Sequence, residues 1–328
     1  MKHFIIIISF LLINSSFSQD LVFGNFFNSA IYSNAAFTGA SFDSSANHVN
    51  RIQTSYRNQK LSNSLNLYQS NFLSYEHVIP NSNGNIGGYL ISDRLGFNGL
   101  IQSTQANITY SYMTPLTKKG FTGRYGLSVG FKNQGIGLGE LVFEDQIDYR
   151  QGIVRNSKEI IASNNITKVD VNAGVVFHDQ HFFIGLSVHN ATKPAFNYLG
   201  RINSYIPRRY TVQIGRLFRL GNQNNSILPV VSFLRQGKYS QSNLSICLNA
   251  SSITIGSGIR NIMNQFNSIS SSNFFVGIKN RKYKFRYMYE TNFSQGNFFS
   301  APTHELSILI DFSKVMPNNI QHSFMMSY

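Results

Sequence analysis

Lys282-Tyr283-Lys284-Phe285-Arg286-Tyr287-Met288-Tyr289-Glu290 puts an aromatic residue at every odd position from 283 to 289, with Lys282, Lys284, Arg286 and Glu290 among the even ones. A period of two is the mark of an extended strand whose two faces meet different surroundings. One face here is greasy and aromatic, the other charged. The pattern recurs where Tyr125, Leu127, Val129 and Phe131 alternate with Arg124, Gly126, Ser128, Gly130 and Lys132. It recurs again where Val169, Val171, Ala173, Val175 and Phe177 alternate with Asp170, Asn172, Gly174 and His178. Strands of this kind suit a barrel with lipid outside and a polar lumen, because closure pairs every backbone group that hydrocarbon would leave unsatisfied. A soluble sandwich also alternates, but it turns charged residues outward and packs its apolar faces together. Charged residues make up only 13% of this chain, about half the globular norm. The expected fold is therefore all-β: an antiparallel transmembrane β-barrel of the outer membrane.

Working outward, the alternation marks about fourteen strands, with cores near 50–58, 64–77, 85–93, 100–114, 122–133, 165–178, 181–189, 207–220, 226–236, 243–250, 252–262, 271–279, 282–292 and 303–312. If the first strand rises from the periplasm, the long connections 134–164, 190–206, 263–270 and 293–302 all fall outside. The short ones at Asp179-Gln180, Ser251 and Asn280-Arg281 fall inside, which is the asymmetry of bacterial barrels. An even number of strands returns the C-terminus to the periplasm.

The N-terminus reads as an export signal. Met1-Lys2-His3 precedes the apolar block from Phe4 to Ile13, and Ser16-Phe17-Ser18 precedes Gln19, so residues 1–18 are expected to be a signal peptide cleaved near Ser18-Gln19. No stretch approaches the roughly 20 apolar residues of a membrane helix. Residues 19–47 then form a lead-in or plug segment, and 48–328 the barrel. The chain has 28 Phe and 17 Tyr but no Trp, so Tyr and Phe must supply any interfacial girdle. The formal charge of +14 is read as Lys and Arg lining the lumen or facing anionic headgroups. Nucleic acid is not an expected partner of an exported protein. Cys247, the single cysteine, excludes an intrachain disulfide and sits in an alternating segment as a small inward-facing residue.

Two stretches carry a family resemblance. Gln19-Asp20-Leu21-Val22-Phe23, Phe26-Phe27-Asn28, Tyr32 and Asn34-Ala35-Ala36-Phe37-Thr38-Gly39 resemble the opening of PorP/SprF proteins, with Ala35 where that family has a proline. Tyr56-Arg57-Asn58-Gln59 is similar to the family's Tyr-Arg-Asn-Gln-Trp, with Lys60 at the tryptophan position. Asp170–Val175 and Phe183–Asn190 resemble its central hairpin, and Gly256–Arg260, Tyr287–Glu290 and His304–Ser307 its C-terminal strands. The resemblance implies an outer-membrane barrel of the type IX secretion system of Bacteroidota. It also implies partners among type IX components, the C-terminal region of a secreted cargo or gliding adhesin, or a periplasmic lipoprotein, beside outer-membrane lipid. The candidates for such contacts are Asn34, Phe37, Gly39, Tyr56, Arg57, Asn58 and Gln59.

Arg57, within an aromatic alternating strand, is expected to point into the lumen and to pair with a carboxylate such as Asp93, Asp170 or Glu290. Either a stiffening salt bridge or direct partner contact would account for it. The run Asn34 to Gly39 reads as a plug, a periplasmic docking segment or a plain lead-in to the first strand. Chemistry has less to stand on. His178-Asp179-Gln180-His181 could approach a metal, but reads more simply as a polar hairpin turn. Glu140, Glu144, Asp145 and Asp148 lack the spacing of a calcium loop. Gly135, Gly137 and Gly139 lack the strand-to-helix setting of a dinucleotide site. No motif joins a serine to His189 as a hydrolase would need. No cofactor is expected, and the chain reads as a non-enzymatic secretion platform or, alternatively, a porin with a basic lumen.

Overall fold

The computed structural model describes residues 23–24, 26–40, 50–60, 66–80, 82–96, 99–117, 120–137, 146–148, 150, 152–153, 165–196, 205–221, 225–263, 268–280, 282–293 and 302–312. Fourteen long strands make up the wall: β1 (Asn50–Lys60), β2 (Asn66–Val78), β3 (Gly84–Leu95), β4 (Ile101–Pro115), β5 (Thr122–Ile136), β6 (Asn165–His178), β7 (Phe182–His189), β8 (Arg209–Arg216), β9 (Asn225–Gln236), β10 (Tyr239–Ala250), β11 (Ile253–Met263), β12 (Ser268–Lys279), β13 (Tyr283–Phe293) and β14 (Thr303–Asp311). Each pairs antiparallel with its neighbour in sequence, and β1 pairs with β14 from Arg51↔Asp311 to Gln59↔Thr303. The ring is closed, so no edge strand presents unpaired groups to hydrocarbon.

The alternation resolves into an outside and an inside. Ile108, Leu127, Phe131, Ile259, Phe274, Ile278 and Phe285 are exposed on the outer face. Exposed tyrosines cluster near both strand ends: Tyr75, Tyr112, Tyr125 and Tyr283 at one, Tyr56, Tyr210 and Tyr289 at the other. These are the positions an interfacial girdle needs. The inward face is buried and mixed: Ser55, Asn107, Thr109, Asn172, Gln213, Asn243, Asn249 and Asn273 lie on it, and so do the apolar Phe72, Ile91, Val176, Phe183, Leu228, Val230, Phe275 and Met288, which the expected polar lumen did not include. Cys247 also points inward and is fully buried.

Connections on one end are the short ones, among them 179–181, 251–252 and 280–282; the other end carries the long connections 137–164 and 190–208. This places the first group at the periplasm and the second outside. Three details depart from the sequence expectation. The outer connection expected to be long over 263–270 is only four residues, because β11 runs to Met263 and β12 starts at Ser268. The outer connection before β10 is only two residues, 237–238, because Gly237 takes a left-handed conformation (φ 58°) that lets the hairpin close at once. The strand expected over 207–220 stops at Arg216 and resumes pairing briefly at Phe218–Arg219. Pro229 of β9, which has no N–H, lies across from that gap, where no ladder bond is required of it. Residues 1–18 and most of the acidic group, Glu140, Glu144 and Asp145, lie outside the described residues.

Candidate functional site

Residues 23–40 are the part of the chain that the strand pattern does not explain. They comprise two 3₁₀ turns (Phe26–Ser29 and Ala35–Phe37) around a single α-turn (Ala30–Ser33). Such short helical pieces hold little stability alone. Their stability comes from the wall: Ala30, Ile31, Tyr32, Asn34, Ala35, Ala36, Phe37 and Thr38 are all buried against inward-facing side chains.

The central contact is made by Asn34. Its side chain donates to Val175 O (3.3 Å) and Leu186 O (3.2 Å) on β6 and β7. Its Oδ1 accepts from Ala36 N (2.9 Å) and so caps the second 3₁₀ turn. Three inward glycines on adjacent strands make room for this. A Cβ on Gly126 would lie 2.2 Å from the backbone of Ala35 and Ala36, one on Gly174 2.0 Å from Asn34 Oδ1, and one on Gly185 3.2 Å from Asn34 Nδ2. The stretches Asn34–Gly39, Asp170–Val175 and Phe183–Asn190, far apart in sequence, therefore meet in one cradle. Phe37 stacks edge-on against Phe183, with ring centroids 5.9 Å apart. Gly39 adopts φ 64°, and a Cβ there would strike Asn85 at 2.7 Å.

Buried charge surrounds the segment. Near its end, Arg51 holds Glu76 through two bonds (2.8 and 2.9 Å) and also donates to Ala40 O (3.1 Å). Gly39 N donates to the same carboxylate (2.7 Å). Arg124 donates to Ala36 O (3.0 Å) and Thr38 O (2.6 Å). Arg209 donates to Tyr32 Oη (2.8 Å) while its guanidinium lies 4.7 Å from that ring's centre. Further in, Arg57 bridges Glu290 (3.0 Å) and Glu305 (3.1 Å), and Arg260 meets Glu290 (3.0 Å). Glu305 accepts from Gly24 N (2.9 Å) and Asn28 Nδ2 (2.5 Å), while Arg260 donates to Gly24 O (2.7 Å). Arg51, Arg57, Glu76, Glu290 and Glu305 each have at least two polar partners, as burial of charge requires.

Of the three carboxylates expected for Arg57, Glu290 is the partner, joined by Glu305. Asp170 instead accepts from Gln105 (2.6 Å), Asn107 (3.0 Å) and Asn172 (2.6 Å). Asp93 stands near the outer end of β3, beside Ser70 and Ser103. The seven sequence candidates do not form one site. Asn34, Phe37 and Gly39 belong to the cradle, and Arg57 to the inner ion cluster. Tyr56 is 42% exposed on the lipid side; alternation puts Asn58 there too, and Gln59 inward.

Arg51, Glu76 and Arg209 were not singled out from sequence, and Arg124, Arg260 and Glu305 were noted without a role. Their common signal is a charge on the inward register of a strand whose other inward residues are small or polar. Asp179 accepts from the amides of His181 and Phe182 (both 2.7 Å), which accounts for the polar run at 178–181 as a turn.

Comparison with known proteins agrees with this architecture. The model of the type IX secretion system membrane protein family PorP/SprF matches residues 15–310. Among solved structures, the chain is similar to the monoaromatic hydrocarbon channel CymD (TM-score 0.56, 8% identity) and to the TodX deltaS2S3 mutant monoaromatic hydrocarbon channel (TM-score 0.51, 10% identity). Both alignments cover 88% of this chain and 94% of the other. At these identities the likeness concerns the fold alone. No curated protein matches. With that match over nearly its whole length and a closed fourteen-strand wall, the chain belongs to the PorP/SprF family of type IX secretion system membrane proteins and is an outer-membrane β-barrel.

Proposed function

We propose that this barrel is a non-enzymatic accessory of type IX secretion. It serves as a membrane-held platform that binds the C-terminal region of a secreted cargo, such as a gliding adhesin, or a periplasmic lipoprotein, with residues 23–40 acting as a plug. The observation that carries the reading is the set of bonds from this segment to β1, β2, β4, β5, β6, β7, β8, β11, β13 and β14. A solute channel needs a continuous wet path, whereas a lumen filled by its own chain suits a scaffold whose contacts lie at the rims.

The outer rim offers a surface for this. In the connection after β7, Ala195 and Tyr205 form a bridge, Phe196 and Ile206 are buried, and Lys193 lies over the Tyr205 ring at 5.9 Å. That rim, with the long connection after β5, is where a partner would dock, the periplasmic rim being the second place. A porin with a basic lumen is the rival reading, favoured by the excess of Lys and Arg over Asp and Glu, 28 against 14.

The test is affinity purification of the tagged protein from gently solubilised outer membranes, with mass spectrometry of what accompanies it. Recovery of type IX components or of an adhesin's C-terminal region is the expected result. A lone barrel that conducts ions in planar bilayers would overturn the platform in favour of the channel.

A further inference from the structure

The charge of the chain is unevenly placed. No Asp or Glu occurs between Asp179 and Glu290, although this stretch, which builds β7 to β12 and the first part of β13, carries Lys and Arg throughout. Three of these cations gather at the outer end of β8 and β9, at the level of the tyrosine girdle. Arg235 stands directly opposite Tyr210 across the β8–β9 ladder, and both side chains are exposed in the lipid-facing register. Arg208, exposed two residues before Tyr210, is steadied by the bond from its Nε to Ala191 O (3.0 Å). Lys193, two residues beyond Ala191, is also exposed and lies over the Tyr205 ring. Among the described residues, no carboxylate is within ion-pair distance of any of the three.

Beside these cations the outer wall is grooved. Tyr210, Val188, Ala173, Leu127 and Tyr110 form one lipid-facing row across β8, β7, β6, β5 and β4, each opposite the next. Ala173 puts a single methyl where its neighbours carry rings or branched chains, so the row dips at β6. The depression has a volume of about 620 Å³ and reaches Tyr112 and Tyr125, so it runs from the outer tyrosine girdle to the periplasmic one. Its lining is almost wholly apolar. An apolar groove of this length suits a hydrocarbon chain, but lipid tails are all alike in apolarity and the groove alone cannot choose among lipids. The cations at its outer mouth can, because they favour an anionic headgroup. Their position fixes the source: the outer leaflet of a Gram-negative outer membrane is built of phosphorylated glycolipid, with phospholipid in the inner leaflet.

We propose that Arg208, Arg235 and Lys193 hold a phosphate of a lipid A-type glycolipid of the outer leaflet, one of whose acyl chains lies in the groove over Ala173. The two guanidinium groups offer planar forks that match phosphate oxygens, and Lys193 adds a point charge. The Tyr210 hydroxyl, between cations and groove, stands where the sugar would meet the wall. The site is independent of the platform reading, and its failure would leave the purification result untouched.

The experiment uses the full mature chain in a neutral maltoside detergent. Diphosphoryl lipid A, its dephosphorylated form or phosphatidylglycerol is added, and the lipid retained by each barrel is read by native mass spectrometry. Retention of lipid A is expected, with the other two lipids held about tenfold less well or worse. Arg208→Gln/Arg235→Gln should weaken lipid A about twentyfold or more, since each cation beside an anionic headgroup is worth about a factor of five. Ala173→Phe, which fills the groove and keeps the charges, should also weaken it, whereas Arg216→Gln at the periplasmic end should not. Folding of each variant is checked by its heat-dependent gel mobility, and Arg235→Gln alone replaces the double change if that does not fold. Equal retention of the dephosphorylated form, an equal loss in Arg216→Gln, or no loss in the double variant or in Ala173→Phe would overturn the site. Phosphatidylglycerol held as well as lipid A would overturn the assignment to an outer-leaflet glycolipid.

Discussion

Two stretches of the N-terminal segment, 24–28 and 36–38, meet buried arginines in opposite ways. Around residues 24–28, Arg57 and Arg260 are matched by Glu290 and Glu305, and the segment only adds bonds to a cluster already neutral within the wall. Around residues 36–38, Arg124 is buried with no carboxylate in ion-pair distance among the described residues. Its nitrogens are answered mainly by the segment's carbonyls, with Ser111 and Met113 as weaker partners. The first region is wall chemistry that would persist without the segment. The second is chemistry that the segment completes, because an unpaired buried guanidinium is costly. A wall that leaves Arg124 to be satisfied by a separate piece of chain makes seating of that piece part of folding.

The largest effect follows from removing the segment. Deletion of 23–40 is expected to lower the urea midpoint of vesicle-refolded barrel more than any point change, and to introduce conductance in planar bilayers. Arg124→Met should destabilise the full chain by about 1–3 kcal/mol, by stranding buried carbonyls. In the deleted chain the same change should be neutral or stabilising. An unchanged sign in both backgrounds would break the comparison.

Glu305→Gln should cost about 3 kcal/mol whether or not the segment is present, since it unbalances the wall's own cluster. A cost confined to the full chain would show that this end, too, depends on the segment. Asn34→Ala removes two donated bonds and a cap, for an expected loss of about 1–2 kcal/mol in urea unfolding. The smallest effect is expected at Ala35→Pro. Position 35 opens a 3₁₀ turn, its amide makes none of the turn's bonds, and Asn34 before it is extended (φ −159°, ψ 118°), as a residue preceding proline should be. A change within about 0.5 kcal/mol, or a small gain, is expected there; a large loss would mean that the cradle excludes the ring.

Much of the wall was legible. The run 282–290 announced its two faces because side-chain direction in a strand follows from a period of two, whatever the strand pairs with. The places where reading stopped short are those decided by something other than period. At 237–238 the turn tightened around one left-handed glycine, a conformation the alternation does not encode. Arg57 could be placed inward, yet Asp93, Asp170 and Glu290 were equally inward. Only closure of β1 on β14 brought Glu305, 248 residues away, to its side.

The sequence by itself determined that this protein is a strand-built membrane barrel, which surface meets lipid, and about how many strands there are. Those properties are local and repeat along the chain. The tertiary structure alone decided that Asn34 rests against Gly126, Gly174 and Gly185, that Arg124 is answered by backbone carbonyls, and that Tyr210, Ala173 and Tyr112 border one groove. Each of these depends on strand register and ring closure, which set distances between residues that no local pattern relates.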